Sequence, residues 1–155
     1  MSLWSLSEIQ ANHIIGTKPN RLLEWGSGET SKKFLEAGID LTSIEHNEAM
    51  PRHAGEFRLC PPVVRTHFEP KEFLDWSNYI MVEDLSYFDT ILIDGECRGE
   101  CLAWTARKAN REAKIYLDDY ERGLYGWALE FFEVVHVIEG FAHLAELKIK
   151  LPRVG

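Results

Sequence analysis

Arg21-Leu-Leu-Glu-Trp25, running straight into Gly26-Ser-Gly-Glu-Thr30 and then Ser31-Lys-Lys-Phe-Leu-Glu-Ala37, decides the fold. The first five residues hold three large apolar side chains, a run too short for a stable helix and suited to a buried strand. The glycines let the chain turn sharply. Residues 31–37 read as a short helix that Gly38 ends. Leu41-Thr-Ser-Ile-Glu45 follows as a second strand. Strand, glycine turn, helix and strand make a βαβ unit, with both strands parallel in one sheet.

The alternation continues outward. Residues 48–57 read as a helix with Pro51 in its first turn, the one place a helix tolerates proline. A third strand is expected over 62–66. Residues 67–88, with Phe73, Trp76 and Tyr79 between charges, predict one or two helices. Phe88-Asp-Thr-Ile-Leu-Ile-Asp94 is the clearest strand in the chain. A helix over 98–109, a strand over 114–117 and a helix over 125–132 come next. Trp127 and Phe131, four apart, share a helix face, and Trp104 and Trp127 are read as core. Strands at 134–138 and 144–149, joined around Glu139-Gly140, form an antiparallel hairpin. The expectation is an α/β fold whose parallel sheet ends in one antiparallel strand.

The chain has 155 residues and a formal net charge of −8. That length makes one domain, 1–155, since domains run at roughly 100–200 residues. With 45% hydrophobic and 27% charged residues, the composition excludes a disordered, collagen-like or disulfide-framed chain. No apolar run approaches the ~18 residues of a membrane span. The acidic balance counts against nucleic-acid binding, which needs a basic footprint. The first residues lack the basic and apolar regions of a signal peptide. The cysteines (Cys60, Cys97 and Cys101) are odd in number, which fits a reducing compartment; the expected location is cytoplasmic. No metal is expected: the cysteines and the six histidines lack ligand spacing.

Ligands of open α/β sheets bind at the carboxyl ends of the strands, where strand order reverses. Gly26, Ser27, Gly28 and Thr30 lie at that end of the first strand, and the helix start turns its N–H groups toward whatever binds there. A bare tight turn is the bland alternative. Glu45 ends the second strand 19 positions after Gly26, close to the spacing at which an acidic residue meets a ribose. That spacing fits NAD and S-adenosylmethionine equally. Glu24 separates them. A charged residue in a buried strand is costly without a partner. A pyrophosphate would repel it, whereas the ammonium of S-adenosylmethionine would attract it. The ordinary alternative is an ion pair with Lys32 or Lys33.

Glu24-x-Gly26-x-Gly28, Glu45 and Asp94 resemble motifs of the class I S-adenosylmethionine-dependent methyltransferases. Phe88 to Arg98, Cys101-Leu-Ala and Ile115-Tyr-Leu-Asp-Asp-Tyr-Glu-Arg122 are similar to a branch of small methyltransferase-like proteins, distantly like the plant xylan glucuronic-acid methyltransferase group. The resemblance spans roughly residues 20–150. It implies a Rossmann-like, doubly wound, mostly parallel seven-stranded sheet with an antiparallel last strand. It also implies S-adenosylmethionine as cofactor: Glu24, Gly26, Ser27, Gly28 and Thr30 at its methionine part, Glu45 at the ribose and His46 beside the adenine. His67, Phe68 and Glu69 would flank the adenine, with Phe68 packed on the ring, and Asp94 would stand near the methionine end and the acceptor. Thr30 replaces a third glycine common in the family.

Asp94, Asp118 and Asp119 all fall at carboxyl ends of strands. Clustered carboxylates raise one another's pKa, which suits a general base; they also suit a divalent cation, and an Asp there also caps the next helix. Arg98 and Arg122 flank the same rim and suit an anionic acceptor, or pair with the aspartates. The Asn-Pro-Pro-Tyr element of nitrogen methylators is absent. The expected acceptor is therefore an oxygen on a small molecule or glycan, bound by the 67–88 and 119–126 loops or in a site completed by a second copy of the chain. The alternatives are an inactive methyltransferase-like module that binds cofactor or a partner, and an NAD-dependent oxidoreductase.

Overall fold

The structure is a computed structural model that describes residues 6–50, 55–68 and 71–150, without the side chains at 66–68 and 71–73. Seven strands share one sheet: β1 (Arg21–Trp25), β2 (Asp40–Glu45), β3 (Glu56–Leu59), β6 (Thr90–Ile93), β7 (Lys114–Leu117), β8 (Phe132–Ile138) and β9 (Leu144–Ile149). β4 (Val63–Phe68) and β5 (Lys71–Asp75) pair separately. The helices are α1 (Glu8–Gly16), α2 (Glu29–Glu36), α3 (Ser77–Ile80), α4 (Arg98–Lys108) and α5 (Gly126–Leu129).

The strand order is β3-β2-β1-β6-β7-β9-β8. From β3 to β7 all pairs are parallel; β9 runs antiparallel to both β7 and β8. The last strand of the chain is thus the antiparallel one, inserted between β7 and β8. Helices cover both faces, so the central strands are apolar on both sides. Leu22, Leu41, Leu92 and Tyr116 pack with Ile14 of α1 and Phe34 of α2. Leu23, Trp25, Ile91, Ile93, Ile115 and Leu117 pack on the opposite face with Leu102 of α4 and Ala128 of α5. Strand order reverses between β1 and β6, which puts the ligand crevice at their carboxyl ends.

Several local expectations are corrected. The third strand of the sheet is β3, where a helix over 48–57 was expected; residues 46–50 form a bend and a turn, and 51–54 lie outside the described residues. Residues 62–66, expected as that strand, fall in the β4–β5 hairpin instead. Pro61 and Pro62 break the chain before it, and Val63 pairs with Asp75 rather than with the sheet. The 67–88 stretch therefore opens with a strand, and α3 supplies only one turn of α-helix. α2 starts two residues earlier than expected, and α5 is one turn long. Trp127 is 53% exposed, so it is not core, and Phe131 beside it is exposed too. Among the described residues no helix is long and apolar enough to cross a membrane.

α1 precedes the first expected element. Ser7 caps it: the Gln10 N–H donates to Ser7 Oγ at 3.2 Å, and the Ser7 N–H donates to Gln10 Oε1 at 3.0 Å. The same Gln10 is buried and donates Nε2–H bonds to the carbonyls of Ile138 (2.9 Å) and Ala142 (2.6 Å), tying α1 to the β8–β9 link. Gln10→Ala removes both of these bonds and is expected to destabilise the fold by about 2–4 kcal/mol. Urea unfolding should show a lower midpoint at unchanged slope; a loss below about 0.5 kcal/mol, ordinary for a surface change, would contradict this role.

Candidate functional site

Side chains of a strand alternate between faces, so Leu22 and Glu24 point the same way, as do Leu41, Ser43 and Glu45. Glu24 is in register with Ser43 of β2 and Leu92 of β6. Ile93 is in register with Leu117, so the next residues, Asp94 and Asp118, end adjacent strands side by side. Their N–H groups continue the ladder, Asp94 to the Trp25 carbonyl (3.0 Å) and Asp118 to the Ile93 carbonyl (3.1 Å). Register therefore sets the three carboxyls in a diagonal row where strand order reverses: Asp94 and Asp118 side by side past the ends of β6 and β7, and Glu24 two positions back on β1, opposite Leu92.

The glycine turn closes over this row. Gly26 has φ +96°, and a Cβ there would stand 2.5 Å from the Asp94 carbonyl oxygen. Only glycine meets both demands. Ser27 donates its N–H to Glu45 Oε1 (3.1 Å), and Gly28 donates to Ser31 Oγ (3.1 Å). Thr30 and Ser31 are buried in the first turn of α2. The Ser27 hydroxyl is buried with no hydrogen-bond partner among the described residues. An orphaned hydroxyl in a crevice is a donor waiting for a ligand or a water.

Glu24 is 2% exposed. Its Oε1 accepts hydrogen bonds from the hydroxyls of Ser31 and Ser43, the latter at 2.6 Å. These hydroxyls, and not the alternative partners Lys32 or Lys33, meet the carboxylate. Burial pushes the Glu24 carboxyl up to about 7; the two hydroxyls pull it down, and the Glu45 charge adds to the rise. Asp94 is also held well above the usual carboxylate range. Burial is the main cause, and Asp118, charged and hydrogen-bonded to it, raises it further, while Arg98 opposes.

Arg98 braces the strand ends. Its Nε donates to the Gly95 carbonyl (2.9 Å), Nη1 to the Asp118 carbonyl (2.7 Å) and Nη2 to Asp94 Oδ1 (3.5 Å). Asp119 stands apart from the pair, in left-handed backbone at φ 57°, with Arg122 at 3.7 Å; its side chain makes no capping bond. Among the described residues no group of three or more His, Cys, Asp or Glu is placed to hold a metal ion.

Glu45 Oε2 accepts the N–H groups of His46 and Asn47, both at 2.8 Å, with His46 Nδ1 at 3.1 Å. Oε1 accepts only the Ser27 N–H among the described residues, leaving one lone pair. His46 lies 5.4 Å from the Trp76 ring and 6.1 Å from Tyr79, centroid to centroid. Phe68 ends β4 and its side chain lies outside the described residues, as does all of Glu69.

No family model and no curated sequence matches the chain. Solved structures do. A methyltransferase-like protein from Silicibacter pomeroyi aligns over 96% of this chain and 89% of its own, with a TM-score of 0.63 at 18% identity. The Podospora anserina methyltransferase PaMTH1, bound to S-adenosylhomocysteine, aligns over 95% and 80% with a TM-score of 0.62 at 15% identity. The Burkholderia thailandensis 1,6-didemethyltoxoflavin-N1-methyltransferase, bound to 1,6-didemethyltoxoflavin and S-adenosylhomocysteine, aligns over 92% and 77% with a TM-score of 0.61 at 16% identity. The chain has the fold of these methyltransferases.

Within this methyltransferase fold, Glu24, Gly26, Ser27, Glu45, Asp94 and Asp118 converge on one crevice, with Arg98 behind them. Four residues were missed. Ser31 and Ser43, which hold Glu24, lie 7 and 19 positions after it; their signal was a hydroxyl one helical turn into α2 and another opposite Glu24 in β2. Trp76 and Tyr79 were noted as aromatics in a stretch that local pattern could not place.

A carboxyl whose pKa is higher folded than unfolded gives up stability as pH rises. For Glu24 the relevant window runs from its ordinary 4.5 to about 7. Between pH 4.5 and 8 the protein is expected to lose about 3 kcal/mol relative to Glu24→Gln, which keeps the shape without the charge. Urea unfolding of both proteins across that range checks this; parallel curves would contradict it.

Proposed function

We propose that the chain is an S-adenosylmethionine-dependent methyltransferase acting on an oxygen of a small-molecule or glycan-like acceptor. The observation that carries this is the row of carboxyl groups, with Glu24 and Asp118 buried and Asp94 half-buried, beside a turn that only glycine can make. Such a row favours a ligand bearing positive charge and disfavours a pyrophosphate. The ammonium and sulfonium of S-adenosylmethionine supply that charge. Gly26 to Thr30 would hold its methionine part, with Glu24 toward the ammonium and the Ser27 hydroxyl free to bond it. The remaining lone pair of Glu45 Oε1 would take a ribose hydroxyl, and His46, with Trp76 and Tyr79, would border the adenine. Two neighbours described with S-adenosylhomocysteine, one of them with a small heterocyclic substrate, support this assignment. Three free cysteines fit a reducing, cytoplasmic setting.

S-adenosylmethionine, when bound, supplies a methyl group whose bond to sulfur breaks, the electron pair staying on sulfur, as the acceptor oxygen bonds the methyl carbon. The chain's own task is then to orient the acceptor and take its proton. Asp94 suits the second task. A carboxyl held above its ordinary range is a stronger base once ionised, and Asp118 beside it sustains that rise. Arg98 holds both strand ends so that the pair keeps its spacing. Asp119 and Arg122 stand on the acceptor side of the rim.

Thermal unfolding in parallel with S-adenosylmethionine, S-adenosylhomocysteine and NAD tests the cofactor. At 100 times its Kd a ligand adds about 2.7 kcal/mol, a shift of several degrees for a domain of this size. The two adenosyl-sulfur ligands should shift the transition and NAD should not; a shift with NAD alone, or with none at millimolar ligand, would contradict the proposal. For catalysis, Asp94→Asn should lower kcat/KM by about 100-fold or more. Activity should rise with pH through the Asp94 ionisation, and Asp118→Asn, which removes the neighbouring charge, should move that limb to lower pH. Binding without methyl release, indifferent to Asp94→Asn, is the outcome expected of an inactive module.

A further inference from the structure

A cavity of about 300 Å³ opens beside the carboxyl pair, between the start of α4 and the loop that follows β7. Arg98 is its wall toward the pair, since its guanidinium bonds Asp94 Oδ1 and the Asp118 carbonyl. Those bonds and the one to Gly95 use three of its five N–H groups and hold the guanidinium against the strand ends. Arg122, on the far side, is different. It is exposed and, among the described residues, meets only Asp119, at 3.7 Å. Its guanidinium fork is available to a carboxylate or phosphate.

Three further features favour an anionic, ring-bearing occupant. Trp127 lies against Gly99 of α4: a Cβ on Gly99 would stand 2.8 Å from Trp127 Cζ2. The glycine thus lets the indole approach the helix start closely, and Trp127, 53% exposed, lines the cavity. Tyr125, 5% exposed, lines the same cavity, and its buried hydroxyl has no partner among the described residues. Cys97, at the N-cap of the 11-residue α4, makes no side-chain capping bond, so the positive end of that helix borders the cavity uncapped. Glu96 and Glu100 also border it, both exposed. The position of an anion is therefore set by Arg122 and the α4 start and not by net charge.

We propose, resting on the methyltransferase reading above, that this cavity is the acceptor site and that it selects a hydroxyl compound carrying a ring and a carboxylate or phosphate. The ring lies on Trp127, the anionic group meets Arg122, and the reacting hydroxyl lies at the Gly95–Arg98 end of the cavity, the end nearest Asp94. The ring is aromatic or a sugar; an indole face accepts either.

The test uses the full chain saturated with S-adenosylhomocysteine and two probe series that change only the group at one carbon: 4-hydroxybenzoate, 4-hydroxybenzyl alcohol and 4-hydroxybenzylamine, then glucuronate, glucose and 6-amino-6-deoxyglucose. Binding is read by ligand-observed NMR. In at least one series the anionic probe should bind at least tenfold more tightly than its neutral and cationic counterparts, and that series identifies the ring. Arg122→Gln should abolish this preference, and Trp127→Ala should weaken every member of the series. Both positions are exposed, and an unchanged thermal shift with S-adenosylhomocysteine verifies the fold of each variant. Equal binding of neutral or cationic probes, an unaltered preference in Arg122→Gln, or no binding of either anionic probe would overturn the assignment. Failure of S-adenosylhomocysteine to bind the wild type is a separate result that removes the cofactor reading. The probes are then applied to the cofactor-free chain, where an Arg122-dependent preference keeps the cavity as an anion site and its absence ends the proposal.

Discussion

Glu24 sits on β1, next to the central strand of a sheet covered on both faces, where an ionised carboxylate lacking partners is among the costliest groups a fold can hold. Two hydroxyls, from Ser31 and Ser43, meet one of its oxygens. They do not neutralise it, and burial still raises it to about 7. Asp94 lies on the next strand and is raised as well, in part by Asp118. A fold that concentrates three carboxyl groups in this way carries a standing electrostatic cost. A cation in the crevice would relieve it, and the proposed cofactor carries one.

The backbone makes the row without special devices. Parallel register puts Glu24 beside Ser43, and Asp94 beside Asp118. The strand-order reversal between β1 and β6 opens the crevice at their carboxyl ends. Gly26 lets the turn approach the Asp94 carbonyl, and Arg98 ties the ends of β6 and β7 to the start of α4. Division of labour follows from this layout. The β1–β2 side carries the groups suited to the cofactor, and the β6–β7 side carries the carboxyl pair and the cavity beyond Arg98.

Much of this was legible in the sequence because its signals are local. The run from Arg21 to Glu45 is one βαβ unit, and Phe88 to Asp94 announces itself as a buried strand. The Glu139-Gly140 link foretold the final hairpin. Failures came where partners are distant. Glu-Phe-Arg-Leu at 56–59 is an edge strand with one neighbour, and its mix of charge and apolar residues reads equally well as the tail of a helix. The valines at 63 and 64 have the stronger strand propensity, yet they pair locally with β5 after two prolines. Trp127 and Phe131 at helical spacing suggested a buried face. α5 ends after one turn, and the surface that receives Trp127 is Gly99, 28 positions earlier. The cavity proposed for the acceptor was invisible for the same reason: Arg122, Trp127 and α4 meet only in the folded chain.

The central claim is that the raised carboxyl groups exist to meet a cation, and proton release on binding tests it most directly. Calorimetric titration with S-adenosylhomocysteine at pH 7, in buffers of different ionisation enthalpy, counts the protons exchanged. Pairing with the ligand's ammonium lowers the pKa of the carboxyl it meets, so protons should leave as the ligand binds, and fewer should leave from Glu24→Gln. Binding with the same heat in every buffer, or with proton uptake, would contradict the account.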